Sequence, residues 1–135
     1  MKLRFTPNSV RLRLNQTEVA EFATSGKLAE RIEFPGAIPN ALVYSLRFAG
    51  NAETGSARLE NGEFTVAVPM AAAKAWASTP KEVGLYYNHE LGGGKSLRIA
   101  VEKDFQCVDG PPQERDPAAY PNPIAKVGCK TEQRR

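Results

Sequence analysis

The fold is decided by one stretch of sequence that occurs twice. Lys2–Ser25 (KLRFTPNSVRLRLNQTEVAEFATS) matches Ser56–Thr79 (SARLENGEFTVAVPMAAAKAWAST) without a gap when the chain is shifted by 54 positions. The shift preserves residue character, because it brings Phe22 onto Trp76 and places aliphatic residues of the first copy on aliphatic residues of the second. Two matched copies predict two matched halves, related by an approximate two-fold axis.

Each copy opens with two predicted strands joined by a tight turn. In the first copy, apolar residues alternate with basic ones over residues 2–5 and 10–14, a pattern typical of half-buried strands. Pro7-Asn8 predicts the turn between them, and the matching pair Asn61-Gly62 is a strong hairpin signal. Each copy is therefore predicted to begin with a β-hairpin.

A short amphipathic helix is predicted after each hairpin. Asn15 followed three residues later by Glu18 forms a capping-box pattern, and Gly26 suits the end of the helix. In the second copy, Pro69 suits a first helical turn and Pro80 a stop. We expect the matched aromatic residue of each helix to anchor it in the core; the alternative is a wall on which a ligand stacks.

Two further strands are predicted after each helix, at residues 28–34 with 42–48 and at 83–87 with 97–101. Their apolar phase aligns Ile32 with Leu85 at an offset of 53, and Leu42 with Leu97 at an offset of 55. The order is then strand, strand, helix, strand, strand, repeated once. This order predicts an α+β fold with about eight antiparallel strands, as a sheet or open barrel, and two short helices.

One domain is expected to hold both copies, because 135 residues are enough for a single core. We expect this duplicated domain over residues 1–104, with repeats at about 2–50 and 56–104. Residues 105–135 contain half of the ten prolines and no sustained periodicity. They are predicted to form a proline-rich C-terminal arm docked on the domain.

Composition and charge exclude several classes of partner. The hydrophobic and charged fractions, 41% and 24%, are those of an ordinary soluble globular protein. A net charge of +3 is too small to predict nucleic acid as a partner. No apolar run approaches the roughly 18 residues that span a bilayer, and no signal peptide pattern follows Met1. We expect a cytoplasmic protein whose partner is a small anionic ligand or another protein.

Seven arginines lie on the polar side of the predicted strands. If the strands curl, the guanidinium groups converge on a concavity suited to phosphate or carboxylate, which Arg binds in bidentate fashion. The alternative is a solvated sheet face with cross-strand ion pairs. The candidate anion-binding residues are Arg4, Arg11, Arg13, Arg31, Arg47, Arg58 and Arg98.

A metal site is a weaker alternative. Cys107 and Cys129 belong to no C-x-x-C pair, so we expect free thiols. A disulfide between them remains open, as does a zinc site that adds His89 with Asp104 or Asp109. No set of nucleophile, acid, base and orienting residue can be assembled from the sequence. We therefore expect a non-catalytic binding or interaction module without a cofactor.

The two ends of the chain resemble a family of small bacterial proteins whose shared domain has no assigned function. The resemblance lies in KLRF at residues 2–5, VRLRL at 10–14, VEKDFQC at 101–107 and PNP at 121–123, before a late cysteine. It covers nearly the whole chain. It implies a bacterial, cytoplasmic setting and no particular chemistry.

Counted from the strand at Val10, the order of elements is also similar to the duplicated unit of triphosphate tunnel (CYTH-like) barrels. That resemblance implies an alternative function, an anion-binding phosphohydrolase that uses Mg²⁺ or Mn²⁺. Those barrels carry a Glu-x-Glu-x-Lys motif on a strand. This chain lacks the full motif, and Glu102-Lys103 has only one of its two acids. A lumen lined by arginines and paired carboxylates would favour the enzyme, and a filled or flat sheet the module.

Overall fold

The computed structural model describes residues 1–38, 40–105 and 118–120. Within these residues the predicted α+β fold is confirmed: two copies of the unit strand, strand, helix, strand, strand follow one another. No helix among them has the length and apolar character needed to cross a lipid bilayer. The elements are β1 (Lys2–Thr6), β2 (Ser9–Leu14), α1 (Gln16–Ser25), β3 (Lys27–Phe34), β4 (Asn40–Phe48), β5 (Ser56–Glu60), β6 (Glu63–Val68), α2 (Met70–Ser78), β7 (Gly84–Gly92) and β8 (Lys95–Lys103).

Helix α1 has the predicted capping box. The Asn15 side chain accepts a hydrogen bond from the Glu18 backbone N–H, and the Glu18 carboxylate accepts one from the Asn15 N–H, both at 2.9 Å. The helix ends at Gly26, whose φ of +77° is the left-handed conformation that glycine adopts readily. Phe22 in α1 and Trp76 in α2 are both completely buried, at 0% exposure. The predicted aromatic anchors of the two helices are therefore confirmed.

The strands form two mixed four-stranded sheets. Sheet A has the order β1-β2-β8-β7, and sheet B has the order β3-β4-β6-β5. The outer pairs are antiparallel hairpins, but the central pairs β2–β8 and β4–β6 are parallel. The prediction of antiparallel pairing throughout is wrong for these two pairs, because a strand alternates in the same way whichever direction its neighbour runs. The two sheets do not close into a barrel.

Each sheet takes one hairpin from each copy of the repeat. Sheet A combines the first hairpin of the first copy with the second hairpin of the second copy, and sheet B combines the other two. The registers agree, because Leu14 pairs with Lys103 in sheet A as Val68 pairs with Phe48 in sheet B. The two halves are therefore equivalent in structure, and neither sheet is complete without both copies.

The second hairpins keep the predicted offset of 55 in their second strands, β4 and β8, but their first strands, β3 and β7, align with a different offset from the predicted one. Leu28 lies opposite Leu46, and Leu85 lies opposite Val101. Leu28 and Leu85 are therefore equivalent, at an offset of 57, and both are buried. The predicted match of Ile32 with Leu85 is wrong by four residues, because alternation of period two cannot distinguish registers that differ by an even number.

One apolar cluster joins both sheets and both helices. The inward residues of the central strands are fully buried and fill the space beneath each sheet. The part of the C-terminal arm that is described also contacts this body: the Tyr120 N–H donates to the Asp104 carbonyl at 2.8 Å, and the Gln16 N–H donates to the Ala118 carbonyl at 2.8 Å. The remainder of the predicted arm lies outside the described residues.

Candidate anion-binding site

The outer face of sheet A carries most of its polar side chains. On β2, Val10, Leu12 and Leu14 are buried, so the alternate residues Ser9, Arg11 and Arg13 point away from the core. We call this surface the cationic face. Across β1, β2, β8 and β7 its three central rows are Lys2, Arg13, Glu102 and Gly84; Arg4, Arg11, Ala100 and Tyr86; and Thr6, Ser9, Arg98 and Asn88.

Positive charge dominates these rows. All twelve positions are described, and they hold five cations and one carboxylate, that of Glu102. Lys2, at the corner, forms a salt bridge of 2.7 Å with Asp104 just beyond β8. Within residues 1–38, 40–105 and 118–120, Arg4 and Arg98 form no salt bridge. The face therefore retains positive charge that no described carboxylate neutralises.

Glu102 holds the central groups in place. Its Oε1 lies 3.2 Å from the Nε of Arg11 and 3.6 Å from the Nε of Arg13. Its Oε2 accepts a hydrogen bond of 2.7 Å from the Tyr86 hydroxyl. Burial, followed by this hydrogen bond and the Glu102 charge, raises the pKa of Tyr86 to about 12. The carboxylate thus orients two guanidinium groups and one phenol.

A cavity of about 310 Å³ opens on the cationic face. Arg11 and Arg98 line it, together with the polar side chains of Ser9, Asn88 and Tyr86. Ala100 lies between them, and its small side chain leaves the floor of the cavity open. None of the described residues that line the cavity carries a carboxylate. The nearest described carboxylate, Glu102, is paired with Arg11 from outside this lining, so two cations and several hydrogen-bond donors form a site suited to a negatively charged group.

The equivalent positions of sheet B lack this chemistry. The registers place Thr65 where sheet A has Arg11, and Val43 where it has Arg98. Ser45 takes the place of Ala100, is buried, and lies 3.2 Å from the hydroxyl of Thr65. The two sheets share a backbone arrangement but differ in side chains, and the anion-binding groups occur on sheet A.

The structure divides the seven predicted arginines between the sheets. Arg4, Arg11, Arg13 and Arg98 share the cationic face, and the first two lie directly opposite each other. The others lie on sheet B, where Arg31 pairs with Glu33, Arg58 with Glu60 at 2.8 Å, and Arg47 is exposed. These ion pairs of sheet B lie within single strands, whereas the cross-strand pairs that the alternative of a solvated face predicts occur on sheet A, between Glu102 and both Arg11 and Arg13.

The residues of the weaker metal hypothesis either lie far apart or fall outside the described residues. His89 pairs with Leu97 near one end of sheet A, whereas Asp104 follows the opposite end of β8. Seven residues of extended chain separate these ends, roughly 23 Å. Among the described residues, no group of three or more His, Cys, Asp or Glu is placed to hold a metal ion. Cys107, Cys129 and Asp109 lie outside the described residues.

Of the residues that line the cavity, the sequence predicted only Arg11 and Arg98, and it missed polar residues that include Ser9, Tyr86 and Asn88. Their alternation with buried neighbours was visible, since Tyr86 follows the buried Leu85. The sequence does not show that β8 lies between β2 and β7 in one sheet. This order brings residues about 80 positions apart onto one surface.

The family model described as "Family of unknown function (DUF7009)" matches residues 1–124. No curated protein and no solved structure matches the chain. The similarity to triphosphate tunnel barrels therefore has no support from a related structure, and the two sheets remain separate rather than enclosing a lumen. The resemblance carried by the two ends of the sequence is confirmed, and the chain belongs to this family of unknown function, DUF7009.

Proposed function

We propose that the protein is a non-catalytic module that binds a small anionic ligand in the cavity of the cationic face. One observation carries the proposal: the cavity is lined by Arg11 and Arg98 and by no described carboxylate, whereas the equivalent positions of sheet B hold Thr65 and Val43. The backbone of the duplicated fold is kept, but neither arginine is present at the equivalent position of the other sheet, and folding alone does not require this difference.

The two arginines complement each other as ligands for an anion. Arg11 is held by the Glu102 carboxylate at 3.2 Å, so its side chain is already oriented before a ligand arrives. Arg98 has no described carboxylate partner that an anion would have to displace. Hydrogen bonds to charged groups contribute about 1.5–3 kcal/mol each, so two guanidinium groups can support binding at micromolar to millimolar ligand concentrations.

The position of the arginines supports a binding module over a phosphohydrolase. They lie on the outside of a sheet whose inner side is filled by Leu12, Ile99 and Val101, all buried. A tunnel enzyme would need these charges inside a lumen together with paired carboxylates. The proposal accordingly includes no Mg²⁺, Mn²⁺ or other cofactor, and its setting is the bacterial cytoplasm implied by the resemblance of the two ends of the sequence.

Thermal unfolding in the presence of sulfate, phosphate or pyrophosphate tests the proposal. A ligand at ten times its dissociation constant stabilises the native state by about 1.4 kcal/mol, which corresponds to roughly 5 °C in a chain of this size. We expect such a rise for the wild type relative to chloride at the same ionic strength. Arg98→Gln should abolish it.

Arg58→Gln is the matched control, because it removes the same charge from sheet B and should leave the rise unchanged. An equal loss in both variants would mean that the effect is one of net charge only. Absence of a rise in the wild type with all three anions would leave the cationic face as a solvated surface and refute the proposal.

A further inference from the structure

We propose that the ligand of the cationic face is a nucleotide, with its phosphate between Arg11 and Arg98 and its planar base on the ring of Tyr86. This inference rests on the proposed function and specifies its ligand class. It depends on the geometry of one exposed aromatic side chain beside the cavity.

The ring of Tyr86 lies along the sheet. Its hydroxyl donates to Glu102 at 2.7 Å, which fixes the far end of the side chain. A Cβ placed on Gly84, two residues earlier on β7, would lie only 2.9 Å from that hydroxyl oxygen. The hydroxyl therefore sits low over Gly84, where a glycine leaves room for it. The ring follows the strand, and the side chain is still 58% exposed.

A fixed aromatic ring with a solvent-facing surface is the platform on which proteins stack nucleic acid bases. Tyr86 lines the same cavity as Arg11 and Arg98, so a base on the ring places its phosphate within reach of the guanidinium groups. Asn88 also lines the cavity, on the side of Tyr86 away from Gly84, and its amide can donate to and accept from a ribose hydroxyl.

Sheet B again provides the contrast. The offset of 57 between β3 and β7 places Ala29 at the position of Tyr86 and Lys27 at the position of Gly84. Sheet B therefore has neither the ring nor the space beneath it. The two arginines of the cavity and the stacking ring occur together on one sheet, and their equivalent positions on the other sheet hold Thr65, Val43 and Ala29.

The overall net charge of +3, from which nucleic acid is not expected, averages the cationic face with sheet B, where two arginines are paired with glutamates. A nucleotide presents the same chemistry whether it is free or part of a single strand. The rows of the cationic face are two residues apart, roughly 6.7 Å, and positive charge continues from Arg98 through Arg11 to Arg13. A single strand could thus extend along β2 beyond the cavity.

The experiment measures dissociation constants by calorimetry at fixed ionic strength with three probes: ribose 5-phosphate, adenosine 5′-monophosphate and a hexa-adenylate strand. We expect adenosine 5′-monophosphate to bind about tenfold more tightly than ribose 5-phosphate, since stacking on one aromatic side chain contributes roughly that factor. Tyr86→Leu should reduce the ratio of the two dissociation constants, that of ribose 5-phosphate to that of adenosine 5′-monophosphate, to about one. Phe34→Leu, which alters an exposed aromatic residue of sheet B, should leave the ratio at ten.

A wild-type ratio of one would overturn the nucleotide inference while leaving anion binding intact. Failure of both monophosphates to bind would overturn the proposed function as well. A ratio of ten that persists in Tyr86→Leu, with an unchanged melting temperature, would also refute the role of the ring. If the ratio behaves as expected, hexa-adenylate is compared with adenosine 5′-monophosphate. Tighter and more salt-dependent binding of hexa-adenylate identifies a single strand as the ligand, and equal affinity for the two probes identifies a free nucleotide.

Discussion

Glu102 determines how the charged groups at the centre of the cationic face are arranged. It contacts Arg11 and Arg13 through one carboxylate oxygen and the Tyr86 hydroxyl through the other. A carboxylate that neutralised the whole face would prevent anion binding, but this one lies at the edge of the cavity and is not among the residues that line it. Its role is to hold side chains in position.

The Tyr86 titration tests that role. Because the native phenol keeps its proton up to a pKa of about 12 while an unfolded tyrosine releases it near 10, this residue stabilises the fold below pH 10 and the contribution is lost between pH 10 and 12. Glu102→Gln should lower the pKa of Tyr86. Absorbance at 295 nm against pH, with Tyr86→Phe subtracted to isolate this phenol, measures it. A native Tyr86 that titrates near 10 would contradict the described hydrogen bond.

The sequence predicts on which face of its strand an arginine lies. It does not predict to which sheet that strand belongs. Arg11 and Arg31 both alternate with apolar residues, and both point away from the core. Only the pairing of β2 with β8 brings Arg11 beside Arg98, whereas Arg31 lies on sheet B beside Glu33. The residue type therefore predicts that the site binds an anion. It does not predict which arginines form the site.

At the scale of elements, the two helices end in different ways. Helix α1 ends at Gly26, and Phe48 lies against that glycine. Helix α2 has no such glycine, and the position equivalent to Phe48 is Lys103, which is 2% exposed. Burial lowers the pKa of Lys103, and hydrogen bonds to the carbonyls of Trp76 at 2.9 Å and Thr79 at 2.5 Å offset that cost. The lysine acts as a C-terminal cap for α2.

Lys103→Met should therefore destabilise the protein. The substitution keeps the length of the side chain but leaves two carbonyl oxygens at the end of α2 without this donor, at a cost of about 1–3 kcal/mol. Urea unfolding monitored by circular dichroism measures the change. Lys74→Met, on the exposed side of the same helix, should stay within about 0.5 kcal/mol of wild type. A Lys103→Met protein as stable as wild type would contradict the capping role.

At the scale of the molecule, the exchange of hairpins makes the two copies depend on each other. The parallel pair β2–β8 joins strands whose partners are 89 positions apart, and β4–β6 joins the copies a second time. The order of elements was predictable from alternation, capping residues and turn pairs. The parallel pairs β2–β8 and β4–β6 were not predictable. The alternation of residues within a strand is the same whichever strand it pairs with and in whichever direction that strand runs.

Cutting the chain between its copies tests this dependence. Fragments 1–53 and 54–135 each retain two hairpins and a helix. In an isolated fragment, however, neither the pair β2–β8 nor the pair β4–β6 can form, because the two strands of each pair lie in different fragments. We expect neither fragment to show a cooperative thermal transition by circular dichroism, and an equimolar mixture to recover one. A fragment that folds cooperatively as a monomer would mean that each copy has its own core.

Anion binding at the cavity of the cationic face is tested most directly by an NMR titration of ¹⁵N-labelled protein with inorganic phosphate at constant ionic strength. The amide signals of Ser9, Arg11, Asn88 and Arg98 should shift together along one saturating curve, because these residues line the cavity. Those of Val43 and Thr65, at the equivalent positions of sheet B, should stay in place. Shifts that fail to saturate, or that are equal on the two sheets, would contradict a defined anion site on sheet A.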